Sequence, residues 1–113
     1  MSEPIDPQKA LRTIAAQAPL HAQAKANRVY MEEYRKTLKA RLMQKAEAAG
    51  HRTAAVQERE AYADAEYVLH LRGLQSAVEA EETSRWTLIA CQAAVEVWRS
   101  QESSNRMMDR GTR

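Results

Sequence analysis

The feature that most restricts this chain is a stretch without helix breakers, Asp64 to Asn105, which holds no proline and a single glycine, Gly73. With no turn chemistry to interrupt it, and with apolar residues at helical spacing, it predicts one long helix. Within it, from Trp86 to Trp98, ten of thirteen positions are apolar. A neighbouring helix covers only a stripe, so a segment apolar nearly all round needs something further packed on it. Trp86, Ile89, Ala93, Val97 and Trp98 are the candidate interface, and the expected partners are further copies of the chain, as a homodimer, and a protein of unidentified kind.

At 113 residues the chain is one small domain with a limited core. It has no phenylalanine, three glycines and three prolines, and is rich in Ala, Glu, Arg and Gln. That composition favours helices over strands. The single cysteine, Cys91, excludes an intrachain disulfide and falls inside the apolar stretch, where it reads as a small hydrophobe. No secretory core follows the N-terminus and no run reaches the ~18 apolar residues of a membrane span, so a cytoplasmic protein with no membrane role is expected.

Asp6-Pro7 reads as an N-cap followed by proline at the first helical position. A short helix over 6–18, after a loose tail at 1–5, carries Leu11, Ile14, Ala15 and Ala18 on one face; Pro19 ends or kinks it. Twelve residues do not hold a helix alone, so it must dock or fray. A first long arm, 20–49, follows, with Ala24, Asn27, Met31, Tyr34, Leu38, Leu42 and Ala46 at three- and four-residue steps and Gly50 as its stop. The connector, 50–64, contains a short helix near Ala54–Ala63 that Thr53 caps, and Asp64 caps the second arm, 65–105, ahead of a loose tail at 106–113. The fold expected is all-α: an antiparallel hairpin of long helices, coiled-coil-like, with a short N-terminal docking helix.

In the second arm Tyr67, Leu71, Leu74, Val78, Leu88, Val95 and Trp98 form a stripe interrupted by Glu81, Arg85 and Gln92. Either Glu81 and Arg85 form a polar layer in the seam, or the stripe rotates and leaves them in water. Pairing through the connector makes facing residue numbers total about 114. Leu42 then meets Leu71 and Leu74, Leu38 meets Leu74 and Val78, Ala24 lies near Ile89, and Arg35 and Lys36 approach Glu79 and Glu82. In that register Leu38 and Leu74 are buried.

Charge supports such a pairing. Residues 20–52 hold eight Lys or Arg against three Glu, a balance of +5, whereas 53–105 hold nine acids against four Arg, a balance of −5. The same basic residues, Arg28, Arg35, Lys36, Lys39, Arg41 and Lys45, with Tyr30 and Tyr34 among them, are the candidate nucleic-acid contacts if the arm follows a phosphate backbone. Arm-to-arm complementarity is the alternative. At the hairpin tip Glu58, Arg59 and Tyr62 form a candidate recognition loop, since loops carry function; otherwise Tyr62 and Tyr67 anchor the turn against Leu42 and Ala46.

Nothing points to catalysis. His21, His51 and His70 form no metal set with Cys91, and Glu66 and His70, four apart, are only two ligands where a structural zinc site takes four. There is no glycine-rich phosphate loop. No enzyme, cofactor or metal is expected.

Glu58-Arg59-Glu60-Ala61-Tyr62-Ala63, then Tyr67, Leu71, Gly73-Leu74, Arg85-Trp86 and the closing Ala93-Ala94-Val95-Glu96-Val97-Trp98-Arg99-Ser100 together resemble a family of small uncharacterised helical proteins of tailed phages and prophages, over residues 20–106. The resemblance implies an accessory role in the host cytoplasm, around replication or recombination, and carries no site residues with it. An inhibitor of a host enzyme is a further class that such a setting admits.

Overall fold

A computed structural model describes residues 3–111. All regular structure among them is helical: α1, Pro7–Ala48; α2, Ala54–Ala63; and α3, Ala65–Gly111. The protein is all-α, an antiparallel hairpin of the long helices α1 and α3 with the shorter α2 packed against it.

Each helix end has a local cause in the sequence. The Asp6 carboxylate accepts the backbone N–H groups of Gln8 and Lys9 at 3.0 and 3.2 Å, which satisfies two donors that the first turn of α1 leaves open. At the other end Gly50 takes a φ of +105°. His51 N–H then reaches the Ala46 carbonyl and Gly50 N–H the Glu47 carbonyl, the paired bonds of a Schellman stop that a residue with a Cβ adopts only under strain. Thr53 Oγ1 caps α2 by accepting Val56 N–H. Asp64 stands alone between α2 and α3 in extended geometry, and its carboxylate accepts Glu66 N–H at 2.8 Å.

α1 does not end at Pro19, and residues 6–18 are not a separate helix. α1 runs unbroken from Pro7 through Pro19 to Ala48. Proline removes one N–H, the one that would bond the Ala15 carbonyl, and crowds that turn. Ala15, Ala18 and Pro19 all lie on the exposed face, so the freed carbonyl meets water, and neighbouring alanines leave room for the ring. The element packed on the hairpin is α2. At the far end residues 106–111, expected as part of a loose tail, continue α3, since no breaker precedes Gly111. The expectations for positions 1, 2, 112 and 113 fall outside the described residues.

Contacts divide the chain into two compact units: Gln23–Glu81, and the chain up to Ala22 together with Glu82 onwards. In the first of these, Leu38, Leu42, Ala61 and Tyr67 form the core, with Tyr34 and Met43 packed against it. Leu38 is 1 % exposed, whereas Leu74 is half-buried and Leu71 and Val78 are exposed. The register that was expected to total about 114 is therefore corrected by about two turns. Met31 lies against His70 and Gly73, Leu38 and Leu42 meet Tyr67, and Arg41 pairs with Glu66. The cause is α2: it brings Ala61 onto Leu38 and Leu42 and covers the last turns of α1, so α3 starts opposite Arg41 rather than Ala49. Gly73 belongs to this fit, because a Cβ there would come within 2.8 Å of the Met31 methyl.

On α3 the buried or half-buried positions in this unit are Tyr67, His70, Gly73, Leu74, Ala77 and Glu81, and all but Gly73 follow alternating steps of three and four. The same steps continue in the other unit through Ser84, Leu88, Cys91, Val95 and Trp98. That is a heptad seam. Of the expected stripe, Tyr67, Leu74, Leu88, Val95 and Trp98 lie in the seam, whereas Leu71 and Val78, like Arg85 and Gln92, lie beside it and are exposed; Glu81 enters the seam instead of interrupting it.

Candidate interaction surface

Two polar pairs occupy the seam. In the Gln23–Glu81 unit, Glu81 projects from α3 to Arg28 on α1, whose Nε and Nη2 both donate to its carboxylate, the second at 3.2 Å. Arg28 Nη1 also donates to Glu32 at 3.0 Å. The Glu81 side chain is 11 % exposed, so the fork of the guanidinium satisfies a nearly buried carboxylate. Glu81 first and Glu32 second hold the Arg28 guanidinium above its ordinary pKa. In the other unit His21 Nδ1 meets Ser84 Oγ at 2.8 Å. A polar layer at Glu81 thus exists, but its cationic member is Arg28 and not Arg85. Arg85 bonds Glu82 at 3.1 Å on its own helix. Neither Arg28 nor His21 was legible as a seam residue, because apolar periodicity alone passes over both.

The candidate nucleic-acid residues are largely engaged within the fold. Arg28 pairs with Glu81, Lys39 with Glu58 at 3.2 Å, Arg41 with Glu66, and Lys45 with Asp64 at 3.1 Å. Lys36 pairs with Glu33 one turn away, not with Glu79 or Glu82, and Arg35 is exposed. Arm-to-arm complementarity is realised, through pairs other than those expected.

The expected recognition loop is not a loop. Glu58, Arg59 and Tyr62 lie within α2, because Thr53 caps a helix there and Ala61 anchors it in the core. Glu58 faces Lys39, Arg59 is exposed, and Tyr62 meets Tyr67 edge-on with centroids 5.2 Å apart. The Lys39 ammonium lies 4.9 Å from the Tyr62 ring, and Tyr62 first, then Glu58, raise the Lys39 pKa. Asp64 is shifted the other way: the Glu66 N–H foremost and Lys45 next hold its carboxyl below the usual range.

The candidate interface on α3 is split by its geometry. Trp86, Ile89 and Val97 are 58 %, 36 % and 48 % exposed, and Ala93 is exposed among them. Trp98 instead ends the seam and is half-buried. At about 100° per residue Trp86, Ile89, Ala93 and Val97 fall within an arc of about 80°, on the side of α3 away from the seam. The Trp86 ring is held in place although it faces water: Nε1 donates to Glu82 at 3.1 Å, and the Arg85 guanidinium lies 5.3 Å from the ring centroid. Facing the seam side, Ala10 is buried, and a groove of about 300 Å³ runs between Ile5, Lys9 and Thr13 and the small residues Ala90, Cys91 and Ala94.

Among the described residues no three His, Cys, Asp or Glu side chains gather as a metal-binding group. Nor is any described helix long and apolar enough to cross a membrane. No family profile matches the sequence, and neither the curated proteins nor the solved structures offer a match to it.

Proposed function

We propose that this protein is a non-enzymatic phage accessory protein of the host cytoplasm that acts by self-association and by binding a protein partner, in a setting of replication or recombination. The observation that carries the binding reading is the exposed arc Trp86, Ile89, Ala93 and Val97, with its tryptophan already fixed by Glu82 and Arg85. An aromatic side chain that is apolar, exposed and pre-oriented loses little further freedom on association, the property of an interface anchor. The phage setting is supported by the sequence resemblance over residues 20–106. The ion pairs made by Arg28, Lys39, Arg41 and Lys45 weigh against nucleic acid as the main ligand, since those cations are already matched by carboxylates.

The test of the binding reading is sedimentation of the full chain across a concentration series reaching on the order of tens of micromolar, where weak homodimers form. A concentration-dependent dimer that Val97→Asp abolishes supports it. A monomer throughout, with Trp86 fluorescence unchanged, overturns self-association. For the setting, a tagged copy recovered from infected cells should bring down replication or recombination proteins whether or not nuclease is added; recovery lost on nuclease treatment overturns the protein-partner reading.

A further inference from the structure

We infer that the partner of the Trp86 face is the same face of a second copy, docked antiparallel about a twofold axis at the level of Cys91; the inference rests on the self-association reading above. Two charged residues border the apolar arc, Arg85 and Glu96, and both are exposed. At about 100° per residue they fall within about 20° of each other, on the same edge of the arc. When two identical helices pack antiparallel, like edges meet. A twofold axis that makes facing numbers total about 182 sets Arg85 against the second copy's Glu96, and by symmetry Glu96 against its Arg85.

The apolar residues agree with that register. Trp86 meets the second copy's Val97, and Ile89 meets the small Ala93, so large side chains face smaller ones along the arc. A parallel pair would instead bring opposite edges together, with Arg85 beside Ala90 and Glu96 beside Gln101, leaving both charges without a match. Arg85 and Glu96 each have a partner on their own helix, Glu82 at 3.1 Å and Arg99 at 3.4 Å. Both contacts are exposed and leave the carboxylate and guanidinium groups with further bonds to make.

The full chain with Cys91→Ser and Ser104→Cys, labelled with a nitroxide, reads the register directly. Residue 104 faces the level of residue 78 of the second copy, so pulsed dipolar spectroscopy should give a separation of about 40 Å at 1.5 Å per residue. A parallel pair brings the labels within about 20 Å. In sedimentation, Arg85→Glu and Glu96→Arg place like charges at both symmetry-related sites, and each should raise the dimer Kd about tenfold. The double variant restores opposite charges and should bind about tenfold tighter than Arg85→Glu alone, the loss of the Arg85 contact with Trp86 being common to both. Circular dichroism confirms that each variant is helical, and if one is not, the label separation in the otherwise unaltered chain decides. A dimer with labels close together, or a double variant as weak as Arg85→Glu alone, overturns the antiparallel docking and leaves self-association standing. A monomer at every concentration overturns both.

Discussion

Leu38 sits at 1 % exposure between Leu42, Ala61 and Tyr67, whereas Leu69, two residues beyond Tyr67, is 67 % exposed. Leu38→Ala is expected to lower stability by about 2–5 kcal/mol in urea unfolding, through lost transfer energy and a residual cavity. Leu69→Ala, with nothing packed over it, should stay within about 0.5 kcal/mol of the parent. Leu38 was legible because apolar residues four apart on a helix share a face, and burial follows wherever that face is covered. Arg28 was not legible, since a cation enters a seam only where a partner carboxylate is delivered to it, and that partner lies 53 positions on. Arg28→Ala should lower the urea midpoint by leaving the Glu81 carboxylate nearly buried without its fork, whereas Arg28→Leu with Glu81→Leu should recover most of the loss, because a seam of apolar residues has no charge to desolvate. A double variant no more stable than Arg28→Ala alone would show that the pair contributes more than its own compensation.

At the scale of single helices the caps were readable and the break was not. Asp6, Gly50, Thr53 and Asp64 each act within a few residues of their place in the chain, so the sequence around them contains the whole cause. Pro19 depends on what surrounds it: its lost hydrogen bond lies on the solvent side, and α1 continues. Its cost should persist nevertheless. Pro19→Ala restores an N–H and removes the ring from the Ala15 turn, so thermal unfolding should show a gain of about 1–3 kcal/mol; no gain would mean that α1 is already fully relaxed at the proline. The cap of α3 carries a pH dependence. Because the Asp64 carboxyl is held below its unfolded value by the Glu66 N–H and Lys45, its contribution is complete above the ordinary aspartate range near about pH 4 and is lost as pH falls through the lower folded value. The urea midpoint of the parent should therefore decline on acidification in that window. Asp64→Asn, which keeps a capping oxygen without a titrating group, should show less of that decline, and an identical pH profile in both proteins would assign the acid sensitivity elsewhere.

At the scale of the whole chain, an all-helical hairpin follows from breaker-free stretches and opposed charges, but its register does not, because sequence spacing treats the connector as a symmetric turn. α2 makes it asymmetric by occupying the last turns of α1, and that redirects the basic residues to Glu58, Asp64, Glu66 and Glu81. The redirection determines how nucleic-acid binding has to be tested. Reversing Lys39 would break its pair with Glu58 and confuse folding with affinity, so the informative variant is Arg35→Glu with Lys36→Glu, at exposed residues of which Lys36 pairs with Glu33 on its own helix. With the other cations matched by carboxylates, anisotropy titration of a labelled DNA duplex should place the affinity of the parent in the non-specific range, about 10⁻⁴–10⁻⁶ M at physiological salt. Few phosphates would be neutralised, so the slope of log affinity against log salt should be shallow, and neighbouring carboxylates lower the potential that phosphate meets. A submicromolar affinity with a steep salt slope, abolished in the doubly reversed variant while its circular dichroism remains helical, would transfer the functional assignment from protein partners to nucleic acid.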